Sequence, residues 1–355
     1  DVYKRQQSNL PRPLEPGMNP RIFQSSDELI QVEDDWEELL TRATVRTPFQ
    51  TPLYNQVWWS TLGGGEWKHG EMWVFAGYDQ ADRLVGIAPL FSSRTETNDL
   101  RFIGSKEVSD YLDLIVDPMH AEDFVETLLS QISLGEMAGA NRLVLDNVLE
   151  DSPTIPLLEQ AVLAQGWQIS QERVEPAPLL MLPSSMDAYL EEIGSKQRRE
   201  FRRKMRRAAD YPARVSWRIE DQHATIEHDI EIFIDLMQND AEKRSFLTEE
   251  MKDHFRQLAT AGARAGWLHL AFLDVSGDPI FGYLNFIAQN RVWVYNSGFN
   301  PDHFAVSPGW VLMGYLIEWA IERGLEAIDF MRGDEDYKHR LGGIDRFVCR
   351  LTIEP

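Results

Sequence analysis

The stretch DPIFG, residues 278–282, repeats the order of DRLVG, residues 82–86: acid, any residue, two apolar residues, glycine. Each lies between two apolar runs, MWVFAGYD and LVGIAPLF in the first case, LHLAFLD and IFGYLNFIA in the second. Paired apolar runs around a short polar turn predict a β-hairpin. What surrounds each hairpin also repeats. Upstream of the first, a strand from Ile22 leads into an acidic helix ending near Leu40, then an aromatic-rich helix stopped by Gly63 to Gly65. Downstream come LRFIGS and YLDLIVD as strands, a helix over 121–137, the strand RLVLDNV and a helix over 156–165. The second half offers helical patterns over 226–239 and 248–265, its hairpin, the strand VWVYNSGF, a helix over 308–323, and the strands AIDFM and RFVCRLTI. The same order twice predicts a duplicated α/β unit.

Composition narrows the class. The chain has 355 residues, 43% of them apolar, enough for two packed domains. One cysteine, Cys349, excludes an intrachain disulfide framework and a cysteine-based zinc site, and eight histidines show no metal spacing, so no metal is expected. A reducing, cytoplasmic setting is the expectation. No run of eighteen apolar residues predicts a membrane-spanning helix. The first twenty residues hold four prolines and read as a disordered tail, with Met18 a plausible initiator. The expected division is a tail (1–20), an N-terminal domain (21–183), a connecting helix (184–210) and a C-terminal catalytic domain (211–355).

That connector contains SKQRREFRRKMRRAA, residues 195–209, with eight Lys or Arg against one Glu. Its net charge of +7 leaves −29 on the remainder of a chain whose total is −22. Phe201, Met205 and Ala208 supply one apolar stripe at helical spacing. Cations so dense repel one another and call for an anionic partner. Either the protein's own acids supply it, or Arg199, Arg202 and Arg203 bind phosphates through their forked donors. An acidic chain with one basic helix and no interleaved aromatics is a poor footprint for duplex nucleic acid.

The second concentration of chemistry is VYNSGFNPDHFAVSPGW and its continuation, DFMRGDEDYKHRLGG (Asp329–Gly343). Ser307 suits an N-cap and Pro308 the first helical position, so the N–H groups near Gly309 offer an anion site. Asp329 alternates with apolar residues and is expected to face a cleft, with Arg332, Tyr337 and Lys338 on the loop opposite the helix start. Asp329 or Glu335 would accept a proton from an attacking amine, Tyr337 or Tyr295 would protonate a leaving group, and Lys338 with Arg332 would hold phosphate.

With VGIAPLF, SDYLDLIVDP, SKQRREFRRKMRRA, SPGWVLMGYLIEWAIERGLEAIDFMRG and DYKHRLGG in order, the sequence resembles the acetyltransferase family that includes the CelD/BcsL-like cellulose-biosynthesis proteins, within the wider GNAT and Fem-type acyltransferases. The resemblance runs from about Ile22 to Ile353. It implies tandem GNAT-like domains, each a mixed, mostly antiparallel sheet flanked by helices. It implies transfer of an acyl group, acetyl being the one expected, from acyl-CoA to an amine of a small-molecule or polysaccharide-precursor acceptor. It also implies that Asp110 and Tyr111 lie at an inter-domain cleft as substrate-binding residues. Two alternatives stand beside it: Fem-like aminoacyl transfer from charged tRNA, and a non-enzymatic binding module for an anionic cell-envelope precursor. The sequence departs from the GNAT pattern where a glycine-rich pyrophosphate loop is usual. It reads DHFAVSPGW there, keeping only the helix start.

Overall fold

The computed structural model describes residues 17–93, 99–104, 106–220 and 224–355. The expected tail therefore lies almost wholly outside the described residues, and its end moves inward. Asn19–Phe23 is a strand antiparallel to Val74–Tyr78, so Asn19 and Pro20 belong to the fold.

Both hairpins form. The first closes through Asp79–Arg83, where the Asp79 amide bonds the Arg83 carbonyl and Asp82 takes φ 60°. The second joins Leu268–Val275 to Asp278–Ala288 through Ser276 and Gly277, both at positive φ. Such two-residue turns match the twist of paired strands. The glycine shared by the two motifs has a packing reason. A Cβ on Gly86 would lie 2.2 Å from the Phe124 ring, and one on Gly282 would lie 3.0 Å from Phe233. In each half a helix seats an aromatic ring directly on the strand.

In the second half, six strands run in the order Leu179–Met181, Ala327–Asp329, Arg291–Phe299, Asp278–Ala288, Leu268–Val275, Val215–Glu220. Ile226–Met237 and Glu249–Ala265 pack on the face towards the first half. Pro308–Glu322 and the basic helix Gly194–Ala209 pack on the other. In the first half the sheet is broken in two. Pro89 divides Leu84–Ala88 from Leu90–Ser92, since proline cannot donate to a ladder. The strand expected over YLDLIVD shrinks to Ile115–Val116, because Tyr111 adopts φ 54° and turns the chain.

The halves are not separable at 184–210. Phe347–Glu354 inserts into the first half's sheet, between Arg142–Leu149 and Gln168–Pro176. Leu179–Met181 crosses the other way and pairs with Ala327–Asp329. Residues 168–179 and 344–354 thus form an almost unbroken antiparallel ladder through both halves. The expected boundaries misassign both strands. Their own apolar patterns mark them as strands without saying which sheet needs them.

Because each half borrows a strand, neither has a complete sheet alone. Calorimetric unfolding is expected to show one cooperative transition; two resolved peaks would contradict the exchange.

Candidate active site

The strands Arg291–Phe299 and Ala327–Asp329 are parallel and touch over only three positions, ending at Trp293 opposite Asp329. Beyond that point they part. On the other edge of Arg291–Phe299, Asn285 faces Val294 and Leu284 faces Asn296, so Tyr295 is an extra, bulged residue. The bulge turns Tyr295 towards the first half, where its hydroxyl donates to the Val108 carbonyl at 2.7 Å. Tyr54 of the first half donates to the same oxygen at 2.8 Å.

A cavity of about 450 Å³ opens there between the halves. Phe255 and Tyr295 form its aromatic wall, and Glu107, Asp110, Glu175 and Arg332 part of its polar one. Glu107 and Phe246 also line a second hollow of about 650 Å³ that continues beside Thr61 and Trp67.

The segment Ser109–Tyr111 sets Asp110 in the cavity wall and is gripped by the second half. Asp110 pairs with the Arg332 guanidinium, which also reaches the Asn147 side chain at 3.3 Å and the Lys106 carbonyl at 2.7 Å. Tyr111 is buried and donates to Asp329 at 2.6 Å. The structure thus brings Asp110, Arg332 and Tyr295 to one cavity.

Three expected roles are corrected. Asp329 does not face a cleft: it is wholly buried, one oxygen accepting from Tyr111 and the Met331 amide, the other from Arg346 at 2.7 Å. Burial pushes its carboxyl up while Arg346 and the hydrogen bonds hold it down. It ties the two halves and has no free lone pair aimed at a substrate. Lys338 is turned inward. Its ammonium donates to the Arg332 carbonyl at 2.6 Å and the Gly333 carbonyl at 3.2 Å, and pairs with Glu335 at 2.8 Å. It staples its own loop and holds no phosphate. Arg332 is likewise committed to Asp110.

Around the parted strand ends a second set of side chains collects. Lys243 donates to the Asn296 side chain at 2.9 Å, and burial lowers its pKa. Glu335 lies within electrostatic reach of Lys243, Tyr283 and Tyr337. Tyr337 is hydrogen-bonded to Tyr283, whose hydroxyl reaches the Gly309 carbonyl at 3.3 Å. Burial raises both phenols well above their ordinary range, so they keep their protons at neutral pH. The loop therefore does face the helix start, through Tyr337. Ser307 does not cap that helix. It sits at φ 57° and its side chain makes no capping bond, so the first-turn N–H groups stay open.

The basic helix docks by its expected stripe, with Phe201 and Met205 against Gly314. Lys204 is the cation it brings to the helix start, its ammonium 3.8 Å from the Trp310 ring centroid. Arg199, Arg202 and Arg203 are exposed instead. Sequence reasoning missed Arg346 and Lys243, neither of which sits in any recognisable motif. His254 is a buried packing residue whose ring bonds Thr61 across the halves at 2.8 Å.

Residues 195–339 match the model of an acetyltransferase (GNAT) domain. No curated protein matches the sequence. Solved structures share the fold over nearly the whole chain. FemX is 12% identical with a TM-score of 0.64, covering 89% of this chain and 95% of its own. A tandem GNAT protein from the clavulanic acid biosynthesis pathway is 12% identical with a TM-score of 0.53, covering 94% and 98%. L-PGS from Bacillus licheniformis is 10% identical with a TM-score of 0.56, covering 93% and 92%. The chain is built from tandem GNAT-like folds, and the GNAT match over residues 195–339 supports an N-acyltransferase enzyme.

Two outcomes test this assignment of roles. Asp329→Asn should lower stability by about 3 kcal/mol or more, since it disturbs a buried ion pair. Activity per folded molecule should survive; a specific loss of turnover in a fully folded variant would restore Asp329 to the chemistry. The second concerns His254, whose pKa burial drops from 6.5 to about 4. Between those values the unfolded chain binds a proton that the fold refuses. The stability contributed by the neutral ring is complete above the upper value and is lost as pH falls to the lower. In urea melts, His254→Gln should gain on the wild type by about 3 kcal/mol from neutral pH down to about pH 4. Parallel pH profiles would refute this.

Proposed function

We propose that the enzyme transfers an acyl group from acyl-CoA to a primary amine held in the cavity between the halves. One observation carries this reading: the parted strands leave a gap with the open helix start on one side and the Tyr295 cavity on the other. A donor and an acceptor can meet there from opposite faces of one sheet. For a pyrophosphate-bearing donor the fitting residues are the first-turn N–H groups of Pro308–Glu322, with Lys204 and nearby Arg340.

A thioester donor supplies an electrophilic carbonyl carbon and a thiolate leaving group. The acceptor nitrogen attacks that carbon, and the C–N bond forms as the C–S bond breaks. Glu335, at the mouth of the gap, takes the proton that the nitrogen loses. Tyr337, protonated and oriented by Tyr283, gives its proton to the departing sulfur. The carboxylates Glu107 and Glu175 and the rings of Phe255 and Tyr295 suit a cationic amine before it is deprotonated. The adjoining hollow leaves room for an acceptor longer than a simple amine, which agrees with a saccharide precursor of the sort that the CelD/BcsL-like resemblance implies.

Calorimetric titration with acetyl-CoA should show binding that Lys204→Glu weakens, and Glu335→Gln should cut turnover per folded molecule by about 10²-fold or more. No binding at millimolar acetyl-CoA removes this donor. Acyl transfer from charged tRNA in a parallel incubation would replace it.

A further inference from the structure

The outward face of the basic helix is left unexplained by acyl transfer. Counted from the buried Phe201 at about 100° per residue, Arg199, Arg202, Arg203 and Arg206 fall roughly 100–200° away. All four are exposed, as are Lys196 and Arg207. Among the described residues the helix's ion pairs go to Glu200 alone: Lys204 at 3.3 Å and Arg203 at a marginal 4.0 Å. Of the two sources of counter-charge, the protein's own acids supply no ion pair to the helix beyond Glu200 among the described residues. Beside this face stands a bare aromatic. Arg207 donates to the Ala305 carbonyl, and the neighbouring Phe304 is 78% exposed.

We infer that this face, with Phe304 at its edge, docks the enzyme on an anionic lipid surface. A row of arginines whose one ion-pair partner among the described residues is Glu200 is attracted to a sheet of phosphodiester headgroups, each cation adding a small increment. The charge of −29 elsewhere repels the same surface, so only this side of the molecule can approach it. An exposed phenylalanine suits the boundary between headgroup and acyl chain. RNA is the weaker partner, since the stacked bases of a duplex are closed to a lone exposed ring and the helix carries no series of aromatics on which unstacked bases could stack. No helix among the described residues is long and apolar enough to cross a membrane, so the contact is peripheral.

Co-sedimentation of the full chain with vesicles tests it. Vesicles with about one-third phosphatidylglycerol should pellet the protein at low salt, and pure phosphatidylcholine vesicles should not; the bound fraction should fall steeply with added salt. R199Q/R202Q/R203Q/R206Q should lower partitioning by about tenfold or more, and F304S by a few-fold. Circular dichroism verifies folding, and R202Q/R206Q serves if the fourfold variant is unstable. No pelleting at low salt, equal pelleting by both vesicle types, or undiminished pelleting of the arginine variants overturns the inference. Shifted tRNA without vesicle binding overturns it in favour of RNA.

Discussion

The carboxylate of Asp329 holds the molecule together. Leaving a charge in an apolar interior costs several kcal/mol unless partners replace the lost water. Here the partners come from three directions: Tyr111 of the first half, the Met331 amide of its own loop, and Arg346, which leads into the exchanged strand. Removing any one leaves a buried group unsatisfied. The halves are thereby fixed in one relative position, and the walls of the cavity, drawn from both, are fixed with them.

That constraint accounts for the positions of the neighbouring groups. Tyr111 is drawn into the second half at positive φ, which places Asp110 one residue earlier, within reach of Arg332. Arg332 in turn draws the Lys106 carbonyl inward and lines the cavity. Lys338 gathers the carbonyls of the loop after Asp329 and fixes Glu335 and Tyr337 relative to the helix start. A segment that looks like a solvated charged turn is a frame built largely from internal pairs.

Much of the fold was legible because hairpins, capped helices and apolar strands are local patterns. The DPIFG and DRLVG repeat disclosed the duplication, and the Phe201 stripe foretold how the basic helix would dock. Sheet membership was not legible: which sheet a short apolar strand completes depends on contacts more than a hundred residues away. The candidate site divides along the same line. Tyr295 and Tyr337 could be picked out as polar residues at a strand end and in a loop, and Asp110 only through the family resemblance. Whether an acid such as Asp329 meets solvent or an arginine is decided by a residue, Arg346, with no local signature.

The exchanged ladder has a consequence for how the protein comes into being. The slot between Arg142–Leu149 and Gln168–Pro176 stays vacant until residues 347–354 leave the ribosome. At about 5–20 residues per second that takes roughly ten to forty seconds. Through that interval Arg142–Leu149 presents a raw strand edge and Gln168–Pro176 has no ladder partner. Such a surface invites chaperones or neighbouring chains, so translation speed bears directly on the yield of correctly threaded molecules.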